Sequence, residues 1–85
     1  SDITTSSMEA YNYFLRGREA FEKFYIDEAI QFLERTIDLD PTFAMAYYYL
    51  GRAYEGLGNL HQVVAVQQLG IVVLMCLFLF FVGNV

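Results

Sequence analysis

Tryptophan is absent, and cysteine (Cys76), proline (Pro41) and histidine (His61) occur once each among the 85 residues. A single cysteine excludes an internal disulfide framework and a cysteine-rich zinc site. Basic residues are scarce, 5 against 10 acidic, and a net charge of −5 gives no electrostatic case for nucleic-acid binding. Charge of either sign stops at Glu55: residues 63–85 carry none, and 18 of those 23 are apolar. Glycines are few, and Gly51 and Gly56-x-Gly58 lack the lysine of a phosphate-binding loop. The first residues lack both methionine and a basic stretch leading into an apolar core, so they are no secretory signal peptide; the chain reads as processed or cut from something longer.

What is present is apolar: 56 % of residues are hydrophobic and 18 % charged, too apolar for a disordered chain and enough for one small domain. The polar part, about 62 residues, is near the lower limit for folding on its own core.

Composite chemistry is hard to assemble from these residues. His61 has no serine or cysteine nucleophile near it in sequence, and Cys76 lies in an apolar run that disfavours a thiolate. Glu19, Glu22, Asp27, Glu28, Asp38 and Asp40 follow helix ends and solvated faces rather than forming an acid/base pair. The expectation is a non-enzymatic protein with no cofactor and no metal site, with His61 in an interfacial or cap position.

Sliding the chain by 34 residues superposes Ala10 on Ala44, Tyr13 on Tyr47, Gly17 on Gly51 and Arg18 on Arg52, with Phe14 on Tyr48 and Ile26 on Leu60. The 3.6-residue period predicts four helices. The first covers residues 8–23, capped by Ser6 in a box with Glu9 or by Ser7, and presents Tyr11, Phe14, Leu15, Arg18 and Phe21 on a broad face. The second opens at Asp27 and Glu28, places Ala29, Ile30, Phe32, Leu33, Ile37 and Leu39 at helical spacing, and stops at Asp40-Pro41. The third covers residues 43–57 and ends at Gly58-Asn59; the fourth begins near Leu60. Within Tyr47-Tyr48-Tyr49, directions about 100° apart assign Tyr47 to packing between repeats, Tyr48 to an open face and Tyr49 to the second helix.

Tyr47-x-x-Leu50-Gly51-x-x-Tyr54, with Tyr13, Gly17, Ala29 and Pro41 one period earlier, resembles the tetratricopeptide repeat (TPR) family over residues 9–62. Tyrosine stands for the family's tryptophan, Arg16 where leucine is preferred, and Ala20 where tyrosine is. The second repeat departs further: Val63 replaces alanine, Gln67 falls at an apolar position, and Met75 stands where Pro41 would recur. The resemblance implies an all-α fold of TPR-like helix-turn-helix repeats, to which the apolar run, departing from the family, adds a long apolar C-terminal helix. Its parts are a tail and cap (1–7), the repeats (8–62) and a hydrophobic helix (63–85). It also implies a scaffold that holds a protein or peptide partner in a groove lined by Tyr11, Phe14, Arg18, Phe21, Met45, Tyr48, Arg52 and Glu55. Arg18 and Arg52, one period apart, suit an acidic peptide or a carboxylate, or pair simply with Glu22 and Glu55. Phe14 and Tyr48 stand where the family's chaperone-binding clamp needs lysine, so chaperone binding is not expected.

Residues 63–83 are interrupted only by Gln67, Gln68 and Gly70, and as a helix would measure about 31 Å, matching a hydrocarbon core of about 30 Å. The uninterrupted run, residues 71–82, suits a buried core helix by its length alone. Three readings stand open: a membrane anchor with the repeats on the cytoplasmic side, a cytoplasmic oligomer whose interface is this helix, and a tail foreign to the repeats. A β reading of Ile71-Val72-Val73 and residues 78–82 is weaker for want of turn signals. The functional expectation is a scaffold or accessory subunit of a membrane complex; the alternative is a soluble oligomeric module.

Overall fold

A computed structural model describes residues 2–84, with side chains from residue 7 to residue 84. Four helices follow one another: α1 (Asp2–Glu22), α2 (Ile26–Leu39), α3 (Ala44–Leu57) and α4 (Leu60–Gly83). α1 packs on α2, α2 on α3 and α3 on α4, while α1 only touches α3, which gives two helical hairpins side by side.

α1 begins at Asp2, upstream of the expected start at Met8. Ser7 therefore lies inside a helix and cannot cap its start, and the side chain of Ser6 lies outside the described residues. A serine marks a helix start only where the residues before it leave helical geometry, and here they do not.

The ends of α1 and α3 use one device. The Phe24 N–H donates to Phe21 O (3.0 Å) and the Tyr25 N–H to Ala20 O (2.8 Å). One period on, the Gly58 N–H donates to Glu55 O (2.9 Å) and the Asn59 N–H to Tyr54 O (3.0 Å). Both turns need a left-handed residue, and Phe24 (φ 66°) supplies it where the second hairpin uses Gly58 (φ 74°). Phenylalanine in that region carries a steric cost of about 1–2 kcal/mol that glycine does not.

α2 ends at Asp40, whose N–H donates to Thr36 O (2.8 Å). The Asp40 carboxylate accepts from the Thr42 N–H (3.0 Å) and hydroxyl (2.6 Å), a side-chain-closed turn that Pro41 helps to fix. α4 starts at Asn59, whose side-chain oxygen accepts from the Gln62 N–H (3.2 Å). No proline recurs at Met75, so nothing stops α4 there and it continues as one helix to Gly83. The apolar tail is helical throughout, against the β reading.

The core joins Phe14 and Ala20 of α1, Ala29 and Leu33 of α2, Ala46, Tyr47 and Leu50 of α3, and Val66 of α4. Gly17 sets the α1–α2 distance: a Cβ there would stand 2.8 Å from Leu33 Cγ and 3.3 Å from Phe32 Cβ. That contact turns α1 so that Ala10, Phe14, Gly17 and Ala20 are its buried line, while Tyr11 and Arg18, expected on the apolar face, are exposed. Thr36, fully buried, satisfies its hydroxyl on Phe32 O at 3.0 Å. Tyr47 is buried and donates its hydroxyl to Pro41 O (2.6 Å). Gly70 lets α4 lie against Tyr47, since a Cβ there would be 3.0 Å from Tyr47 Cβ.

α4 has two parts. Val63 and Val66 are buried and Val73 is half-buried on the core, whereas residues 74–84 are exposed on every side.

Candidate functional site

The first candidate surface runs across α1 and α3. Tyr49 is half-buried at its centre, edge-on to Phe14 (5.7 Å between centroids) and to Phe21 (5.7 Å), and Phe43 lies 4.8 Å from Phe14. Tyr49 thus packs on α1, not on the second helix as the tyrosine run suggested. Neighbouring residues on a helix diverge by a known angle, but which neighbour receives each is set by how the hairpins are laid together.

Two guanidinium groups lie on this aromatic band. Arg18 stands over the Phe14 ring and Arg52 over the Phe21 ring, each at 5.9 Å from the centroid. Arg52 also donates to the Tyr48 hydroxyl (3.1 Å) and pairs with Glu55 at 3.3 Å. Six of the eight sequence-expected groove residues therefore share the band: Arg18 meets Phe14, Arg52 meets Phe21, Tyr48 and Glu55, and Tyr49 joins the two sets, with Phe14 buried as a supporting ring rather than a contact surface. Tyr11 and Met45, which are repeat-equivalent, are exposed. Sequence reasoning missed Tyr49 and Phe43 as the band's packing centre.

The second candidate surface is a cleft of about 260 Å³ between α3 and α4, lined among others by Tyr48, Gly51, Arg52, Glu55, Gln67 and Ile71. The 34-residue shift was the signal that could have found it. Moved back one period, Tyr48, Glu55, Gln67 and Ile71 become Phe14, Phe21, Leu33 and Ile37, which belong to or pack against the core that α3 completes.

Electrostatic tuning is slight. Burial pushes the Tyr47 phenol above its usual value, helped by the Asp40 carboxylate. Burial likewise raises Tyr54, whose hydroxyl donates to Glu34 at 3.2 Å. Lys23 is raised by its hydrogen bond to Glu19 at the surface. Among the described residues no group of three or more His, Cys, Asp or Glu side chains is placed to hold a metal ion. By length and composition α4 could cross a membrane, a test that core helices of soluble proteins also pass.

Paired hairpins of one period, closed by matching turns, define a helical-repeat protein. Two tetratricopeptide repeat models match it, one over residues 10–43 and one over residues 32–65. The chain belongs to the tetratricopeptide repeat family, with about 1.5 to 2 repeats. Repeats of this family suggest protein–protein interaction, and the family is typically non-enzymatic. Neither a curated protein nor a solved structure matches the chain.

Proposed function

We propose that this chain is a non-enzymatic interaction module, a scaffold or accessory subunit, that holds a partner protein on the α1–α3 surface and associates with a membrane through the end of α4. The observation that carries the partner reading is the pair of repeat-equivalent arginines stationed over Phe14 and Phe21. Rings below and exposed guanidinium edges above suit a peptide that alternates apolar side chains with carboxylates. Tyr11, Met45, Tyr48 and Glu55 extend that surface along the two helices.

The membrane reading rests on residues 74–82, apolar and exposed on all sides, with Phe80 and Phe81 each 72 % accessible. Water penalises such a surface by about 25 cal/mol per Å². That stretch measures about 14 Å as a helix, so it enters a bilayer without crossing its roughly 30 Å core. A full span over residues 63–83 would take Val63 and Val66 off α3. Only such a full span would have an orientation to set, and with all five Lys and Arg before it the repeats would be on the cytoplasmic side.

Two experiments test this. A photo-crosslinking residue at position 11, which does not line the α3–α4 cleft, should label a protein partner, and Arg18→Glu should abolish the labelling. Equal labelling from position 28, at the start of α2, would remove the assignment. Alkaline carbonate should leave the full chain in the membrane until detergent is added, and Phe78→Asp with Phe81→Asp should release it. Substitution is the better test than truncation at Gln62, which would also delete Val63 and Val66 from the core. The exposed apolar end of α4 favours a second reading, a soluble oligomer with that helix as its interface; a full chain that is soluble without detergent and elutes as an oligomer would establish that instead.

A further inference from the structure

The α3–α4 cleft continues an interface that the molecule already contains. In the first hairpin the equivalent surface, built on Phe14, Phe21, Leu33 and Ile37, is closed by α3, which brings Ala46, Tyr47 and Leu50 to it. The chain reaches that position because Asp40-Pro41 ends α2 and three residues later α3 begins. One period on, the corresponding residues Leu74 and Met75 lie within α4, which runs on to Gly83. The turn that would lead the chain back into the second cleft is missing, so residues directly after Leu74 cannot fill it as α3 fills the first.

A second copy of the chain is a poor occupant. Its α1 is the helix equivalent to α3, but the positions filled there by Phe43, Ala46, Leu50 and Ala53 are Glu9, Asn12, Arg16 and Glu19. Those four are exposed, and burying them in the cleft would strip water from three charges, among them Glu19, the ion-pair partner of Lys23. The cleft itself is mostly apolar, with Ile71 and Leu74 on one wall, Tyr47 and Tyr48 on the other, and Gln67, Arg52 and Glu55 as its polar points.

We propose that the α3–α4 cleft is a docking site for an amphipathic helix of a different protein, seated on α3 and α4 as α3 is seated on α1 and α2. The ligand helix carries small and aromatic side chains on one face, a hydrogen-bonding residue opposite Gln67 and a carboxylate within reach of Arg52. This site shares Tyr48, Arg52 and Glu55 with the α1–α3 surface but is built on α4, and it stands whether or not α4 meets a membrane.

The probe is a fluorescent peptide that keeps the inward residues of α3 (Phe43, Ala46, Tyr47, Leu50 and Ala53) and carries lysine and glutamine elsewhere. Anisotropy is read against the full chain in phosphatidylcholine nanodiscs. Saturable binding is expected, weakened at least about tenfold by Ile71→Asp, which puts an unpaired charge in the cleft. Gly51→Leu should weaken it too: the nearest atom to a Cβ there is Gln67 Cγ at 3.9 Å, so the new side chain grows into the cleft. Arg18→Glu, on the other surface, should leave binding unchanged. Thermal melts of the variants show whether each is folded. The proposal is overturned by absence of saturable binding up to about 1 mM. It is equally overturned if folded Ile71→Asp and Gly51→Leu bind as the parent does, if Arg18→Glu is the variant that loses binding, or if the cleft is filled by a second copy in a dimer that Ile71→Asp dissociates.

Discussion

In the first hairpin, α2 ends at Asp40-Pro41 and Leu33 is fully buried; in the second, α4 runs through Leu74 and Met75 and the equivalent Gln67 is exposed. Gly17 is pressed against Leu33, whereas its counterpart Gly51 has only Gln67 nearby, at 3.9 Å. The left-handed turn residue is Phe24 in one and Gly58 in the other. One 34-residue pattern thus builds a closed hairpin and an open one. The difference lies less in the helices than in whether a following helix arrives to cover them.

The sharpest break in that comparison is Leu33→Ala against Gln67→Ala. The first should cost about 2–5 kcal/mol for its lost burial and cavity, the second no more than about 0.5 kcal/mol, both read by thermal or denaturant melts. The paired glycines should differ in sign. Gly17→Ala should lose about 1–2 kcal/mol as α1 is forced from Leu33, while Gly51→Ala should gain about 0.5–1 kcal/mol from helix propensity alone. A shared loss would mean that the second hairpin is packed as tightly as the first. Exchanging the turn residues should also act in opposite directions: Phe24→Gly stabilises by about 0.5–1 kcal/mol and Gly58→Ala destabilises by about 1 kcal/mol. Tyr47→Phe removes the hydrogen bond to Pro41 O and should cost about 1 kcal/mol at neutral pH.

The raised tyrosines add a pH dependence to the last of these. Tyr47 and Tyr54 hold their protons more tightly when folded than the usual value of 10.0 allows. Their contribution is complete below about pH 10, where unfolded tyrosine begins to ionise, and is lost as pH rises through the folded values. The melting temperature should therefore fall in that alkaline window, and the Tyr47→Phe, Tyr54→Phe double variant should show a smaller fall.

Much of this architecture was legible because its punctuation is chemical. Asp40-Pro41 and Gly58-Asn59 mark the ends of α2 and α3, and the absence of a second proline foretells the length of α4. The family resemblance over residues 9–62 agrees with the matched residues 10–65. Rotation was not legible. Phe14 sinks into the core and Tyr49 turns to α1 because Gly17 and Leu33 fix how the helices meet, and no periodicity within one helix contains that information. The left-handed Phe24 was hidden for another reason: phenylalanine does not advertise a conformation that glycine or asparagine would.

Every substantial packing of helices here joins neighbours along the chain, and the connections between them are only Lys23-Phe24-Tyr25, the residues from Asp40 to Phe43, and Gly58-Asn59. Closing such short loops costs little entropy, and chains dominated by local contacts fold in microseconds to milliseconds. A ribosome adds about 5–20 residues per second. The α1–α2 hairpin can form while the uncharged end of α4 is still being synthesised, so those exposed phenylalanines emerge beside helices that have already found their partners.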